Sequence, residues 1–117
     1  MNPPDAVAMS TFEYHVLLAL ANGPLHGYAV KDAVAAESSG TLVPRAGSMY
    51  RVLARLMTGG LVAEAKPEGA PSPHPGLARK YYALTPRGRS ALAAETRRLK
   101  RAVTVAERRL SAARGRP

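Results

Sequence analysis

Gly47-Ser48-Met49-Tyr50-Arg51-Val52-Leu53-Ala54-Arg55-Leu56-Met57-Thr58-Gly59-Gly60 is the stretch that decides the fold. At about 100° per residue, Met49, Val52, Leu53 and Leu56 share one helical face, with Met57 at its edge. Ser48, Arg51, Arg55 and Thr58 share the opposite face, and no carboxylate occurs between Gly47 and Gly60. One side is suited to burial. The other offers guanidinium groups and hydroxyls, the donors and acceptors that read base edges and grip phosphates. Arginines on the outer face of an amphipathic helix are usually only a solvated surface, so the neighbouring segments must decide between the two readings.

Those neighbours are informative. Gly59-Gly60 stops the helix, and a strand-like run, Leu61-Val62-Ala63-Glu64-Ala65-Lys66, follows at once. A second run, Arg79-Lys80-Tyr81-Tyr82-Ala83-Leu84-Thr85, returns after the polar, Pro-rich segment 67–78. That segment excludes a tight two-residue hairpin and reads as an exposed, mobile wing tip. Upstream, Ser10 and Glu13 have capping-box spacing, and Phe12, Val16, Leu17 and Leu20 give a first helix to about Ala21, ended by Asn22-Gly23-Pro24. A second helix spans about His26 to Glu37, with Ala29, Val30, Ala33 and Val34 as core positions. Gly27 within its first turn suggests a close backbone approach by a neighbouring helix. Three helices followed by a two-stranded ribbon are the order of a winged helix-turn-helix. The link from Ser38 to Gly47 is longer than the turn of the simple motif and partly extended.

Thr85-Pro86 opens a last helix, with Thr as N-cap and Pro at the first position. Along it Leu92, Leu99, Val103, Ala106 and Leu110 form a narrow apolar stripe. Packing back onto the same domain is one explanation. Beyond about Leu99 so short a chain has little core left to cover the helix, which favours a partner subunit. The fold class expected is mainly α with a small β-hairpin: a winged helix-turn-helix plus a long C-terminal helix. It divides into a flexible leader, 1–9; a winged domain, 10–86; and a dimerisation helix with a frayed basic tail, 87–117.

The 117 residues suffice for one modest core, and 46% hydrophobic content places the chain among folded proteins. With one Phe and no Trp, that core is built from Leu, Val, Ala and Met. The absence of cysteine removes disulfides and thiolate metal sites and fits a reducing compartment. No secretory signal or membrane-length apolar run is present, so a cytoplasmic, nucleoid-associated protein with no membrane partner is expected. Charge is unevenly spread. Residues 1–78 carry five Lys/Arg against six Asp/Glu, a net of −1; residues 79–117 carry twelve against two, a net of +10, which gives the overall +9. The asymmetry points to a polyanion, nucleic acid before membrane, against the bland alternative of a helix kept soluble by its charge.

The segments Leu17-Leu18-Ala19-Leu20 with Gly23-Pro24-Leu25-His26-Gly27-Tyr28, Gly47-Ser48-Met49-Tyr50 with Leu53-Ala54-Arg55-Leu56 and Gly60-Leu61-Val62, and Arg79-Lys80-Tyr81-Tyr82-Ala83-Leu84-Thr85-Pro86-Arg87-Gly88 resemble, in that order, the PadR-type transcriptional regulators. The resemblance spans about Thr11 to Leu92. It implies a homodimeric repressor of the short form, with one C-terminal dimerising helix and a third helix that enters the major groove of an inverted-repeat operator. It carries DNA contact onto Ser48, Tyr50 and Arg51, and the wing base onto Arg79 and Lys80. Arg45 and Arg55 join that set from the helical face alone. His26-Gly27-Tyr28 is carried over as a packing element. Some family members bind planar drugs or phenolic acids near the dimer interface, so a small aromatic effector is among the implied partners, although a Trp-based sandwich cannot form here. The wing is longer and richer in Pro than the resemblance implies.

Enzymatic signals are missing. His15, His26 and His74 have no metal-ligand spacing, no Gly-x-Ser-x-Gly elbow occurs, and Gly47-Ser48 lacks the Lys and glycine spacing of a phosphate loop. No metal or cofactor is expected. Of Tyr81 and Tyr82, which alternate along a strand, one is expected to enter the core. The competing functions are a winged-helix module that docks an acidic protein and a non-specific nucleic-acid packaging protein.

Overall fold

The computed structural model describes residues 9–66 and 80–114. In order these form α1 (Thr11–Ala19), β1 (Leu25–His26), α2 (Gly27–Glu37), α3 (Ala46–Thr58), β2 (Val62–Ala65), β3 (Tyr81–Leu84) and α4 (Pro86–Arg114). The winged helix-turn-helix with a long last helix is as expected. The ribbon, however, is a three-stranded antiparallel sheet in the order β1-β3-β2. Leu25 and His26 pair with Tyr82 and Tyr81, covering the edge of β3 that a hairpin would leave open.

Caps locate the helices. The Ser10 hydroxyl accepts from the Glu13 N–H at 3.1 Å while the Glu13 carboxylate accepts from the Ser10 N–H at 2.8 Å, closing the capping box of α1. The helix stops at Ala19, two residues short of the expected end, with Leu20 as C-cap. At α2 the capping side chain is His26, whose Nδ1 accepts from the Ala29 N–H at 3.2 Å. Its ring stands edge-on to Tyr81, its register partner on β3. Thr85 caps α4 by accepting from the Gly88 N–H at 2.9 Å. Gly60, at φ +78°, adopts the left-handed turn that sends the chain from α3 into β2.

One core joins the helices to the sheet. Val16, Leu17 and Leu20 of the first segment meet Val30 and Val34 of α2, Met49, Val52, Leu53 and Leu56 of α3, Leu61, Val62 and Tyr82 of the sheet, and Ala91 and Leu92 of α4. The α3 face drawn from the sequence is therefore the buried one. Tyr82 is the strand tyrosine that enters the core, and burial, with Tyr50 and Glu64 nearby, pushes its phenol pKa up. The α2–α3 link is fastened by buried Ser38, whose hydroxyl accepts from the Leu42 N–H at 3.0 Å and donates to the Ala35 carbonyl at 3.2 Å.

Four expectations need correction. Leu92, expected on the dimerisation stripe, is 8% exposed and sits in its own chain's core. For the same reason the packing of the winged domain continues past residue 86 into the first turns of α4. Met9, placed in the leader, packs partly buried against the core; the rest of the leader lies outside the described residues. Gly27 is approached by a side chain: a Cβ there would lie 2.6 Å from the Tyr50 hydroxyl and 2.9 Å from its ring.

Candidate nucleic-acid interface

The buried face of α3 leaves its other face outward. Arg45, Tyr50, Arg51, Arg55 and Thr58 are exposed and Ser48 is half-buried. Arg45 is the N-cap residue of α3, which sets the helix start one residue ahead of Gly47, and its side chain makes no cap hydrogen bond. One turn on, the Arg51 guanidinium approaches the Ser48 hydroxyl at 3.4 Å and forms no ion pair among the described residues. Tyr50, although 45% exposed, lays its ring over Gly27, which ties the third helix to the start of the second. The His26-Gly27-Tyr28 turn therefore serves as the seat of a tyrosine on the candidate surface.

Arg55 has a partner that helical periodicity does not reveal. Its Nε donates to Glu13 Oε2 at 3.0 Å, across 42 positions of sequence. Burial pushes the Glu13 carboxyl up, but hydrogen bonds from Ser10 and Arg55, together with the Arg55 charge, outweigh it and hold its pKa below the ordinary value. The arginine remains 62% exposed and the carboxylate 15%, so the pair adds little stability and acts mainly to orient. It links the cap of α1 to the outer face of α3. At the base of the wing Lys80 reaches Glu64 at 3.5 Å, both side chains well exposed. Arg79 and the wing tip, 67–78, lie outside the described residues.

Arg51 and Arg55 thus share the outer face of α3, with Ser48 on one flank, Tyr50 on the opposite flank against Gly27 and Arg45 at the N-cap; Arg55 is already engaged by Glu13, and Lys80 is paired with Glu64. Sequence reasoning missed Glu13 as the residue that holds Arg55, and Gly27 as the seat of Tyr50. Among the described residues no three His, Cys, Asp or Glu side chains gather as a metal site would require. No helix among them is long and apolar enough to cross a membrane.

A family-wide sequence profile, described as that of the transcriptional regulator PadR-like family, matches residues 16–94. The chain belongs to the PadR-like family. Its members are transcriptional regulators rather than enzymes, and the match runs from the core of α1 into α4. Among solved PadR-like folds, a PadR family transcription regulator of Clostridium difficile superposes with a TM-score of 0.68 at 22% identity, covering 86% of this chain and 99% of that one. A PadR-like transcription factor from Bacteroides fragilis gives 0.65 at 26% identity, over 82% and 86%. Bacillus subtilis PadR, solved in complex with operator DNA, gives 0.60 at 23% identity, over 74% of this chain and 47% of that one. A sequence relative, an uncharacterised 37.1 kDa protein in transposon Tn4556 of Streptomyces fradiae, is 41% identical over 86 residues. This PadR-like chain spans about a fifth of that relative, 22% of its length, with 74% of its own.

Proposed function

We propose that this chain is a homodimeric repressor that reads double-stranded DNA sequence-specifically with α3. The observation that carries this reading is the outer face of α3: the helix contributes no carboxylate of its own, and Arg51 stands there exposed and without an ion pair among the described residues, on a helix whose other face is fixed in the core. An arginine so placed can make the bidentate contact to guanine O6 and N7 that discriminates bases in the major groove. Arg45, Ser48 and Tyr50 are assigned to contacts at the start of the helix, and Lys80 with Arg79 to the phosphates beside the wing. The operator complex of Bacillus subtilis PadR supports the assignment by likeness of fold.

Dimerisation is proposed through the far half of α4. After Leu99, Val103 is 55% exposed and Leu110 is 62% exposed, and Ala106 is exposed between them. A helix segment this long with no tertiary cover is only marginally stable in water, so a second copy of the same stripe is its natural complement. Two α3 helices related by a two-fold axis would meet successive major grooves about one helical turn apart, which calls for an inverted repeat. Occupancy of such a site is the repressing event. A small aromatic effector at the dimer interface is compatible with this arrangement and would act by loosening or tightening the grip on DNA.

Arg51→Ala tests the base-reading role. The variant should lose about 1–3 kcal/mol of discrimination between operator and random duplex, measured by fluorescence anisotropy at constant salt. Equal losses on both duplexes would reduce Arg51 to a phosphate contact and contradict the assignment.

A further inference from the structure

The strongest positive charge of this protein lies away from α3. Residues 1–78, which hold the whole of α3, carry a net of −1, while beyond its packed first turns α4 carries Arg97, Arg98, Lys100, Arg101, Arg108, Arg109 and Arg114 against Glu107. At about 100° per residue, Arg97, Arg101 and Arg108 fall within about 40° of one another, opposite the Leu99–Leu110 stripe. Arg98 is held by Glu95 through two hydrogen bonds of 2.7 Å, and that carboxylate is nearly covered. The other three form a ridge about 16 Å long with exposed side chains and no ion pair among the described residues. Pairing the apolar stripe with a second copy leaves this ridge facing outward.

We propose that the outer ridge of α4 is a second DNA-binding surface, which grips the phosphate backbone of duplex DNA without reading its sequence. Three observations favour a nucleic acid over an acidic protein or a mere solubility device. Arg97 and Arg101 are like charges four residues apart, an arrangement that weakens a helix and that solubility alone does not require. The centre of the ridge carries exposed Thr104, the half-buried Val105 lies on its flank, and no aromatic side chain stands among the arginines, whereas a protein-binding face is expected to offer large apolar or aromatic anchors at its centre. Guanidinium groups in a row suit the regularly spaced anions of a duplex. Reading by α3 and grip by α4 are then separate functions of one chain, and the second stands even if the first fails.

The test compares wild type with the triple variant Arg97→Gln, Arg101→Gln, Arg108→Gln on a random-sequence duplex of about 40 base pairs across a salt series. Gln matches Arg as a helix former, and circular dichroism checks that α4 is retained. The plot of log affinity against log salt should flatten by about 2–3 in slope for each ridge that meets the duplex, while the ratio of selected to random duplex affinity stays at the wild-type value. Arg51→Ala should do the reverse, lowering that ratio with little change of slope on random DNA. An unchanged slope in the triple variant overturns the proposal. So does a triple variant that keeps the duplex and loses a poly-glutamate peptide, which would assign the ridge to an acidic protein.

Discussion

Gly88→Ala should lower the melting temperature by about 10 °C or more. A Cβ built on this buried glycine lands on the Leu61 carbonyl oxygen, well inside contact distance, and 2.9 Å from the Leu61 carbonyl carbon. A flexible side chain could swing aside, but this obstacle is backbone. That same carbonyl accepts from the Thr85 N–H at 3.1 Å, and the Thr85 hydroxyl donates to the Gly60 carbonyl at 2.6 Å. The turn out of α3 and the first turn of α4 are therefore bolted together, and the added methyl must pry them apart. Displacement would carry Ala91 and Leu92 out of the core along with the helix. Overpacking a site without slack costs about 3 kcal/mol or more. A thermal melt by circular dichroism reads the loss, and a melting temperature within a degree or two of wild type would contradict this close packing.

If the proposed dimer forms through the far half of α4, Leu99→Lys combined with Val103→Lys should convert it to a 12.4 kDa monomer in sedimentation equilibrium. Both residues lie on the stripe beyond the domain's own core: Leu99 is half-buried, Val103 is 55% exposed, and the next stripe positions are open. Two ammonium groups placed in a dry seam must be desolvated without partners, and their copies face them across the two-fold axis. The dimer should weaken by more than about 100-fold. Because neither side chain belongs to the core cluster, the monomer should keep the winged domain's fold. An unchanged dimer mass would place the interface elsewhere.

Where the sequence was legible, local chemistry carried the information. The period of Met49, Val52, Leu53 and Leu56 marked the buried face of α3, and Ser10-x-x-Glu13 and Thr85-Pro86 marked two helix starts, because caps and amphipathic faces are set within a few residues. What stayed hidden depended on three-dimensional neighbours. β1 is two residues long, too short for any alternation, and exists because β3 has an edge to pair. His26 is not among the usual capping residues, so its role at α2 shows only in the bond to Ala29. Leu92 and Leu99 share one stripe, yet helical angle records which way a residue points and nothing of how far along the axis the rest of the protein reaches. The Glu13–Arg55 pair joins segments 42 residues apart, and no local rule connects them. The surface of α3 could be drawn from the sequence. The partner already holding one of its arginines could not.

Selection of binding sites from random duplexes at near-physiological salt bears most directly on the claim that α3 reads DNA. The expected result is enrichment of a short inverted repeat whose half-sites are centred about one helical turn apart, lost on Arg51→Ala. A pool retained without sequence enrichment, and released uniformly as salt rises, would contradict it.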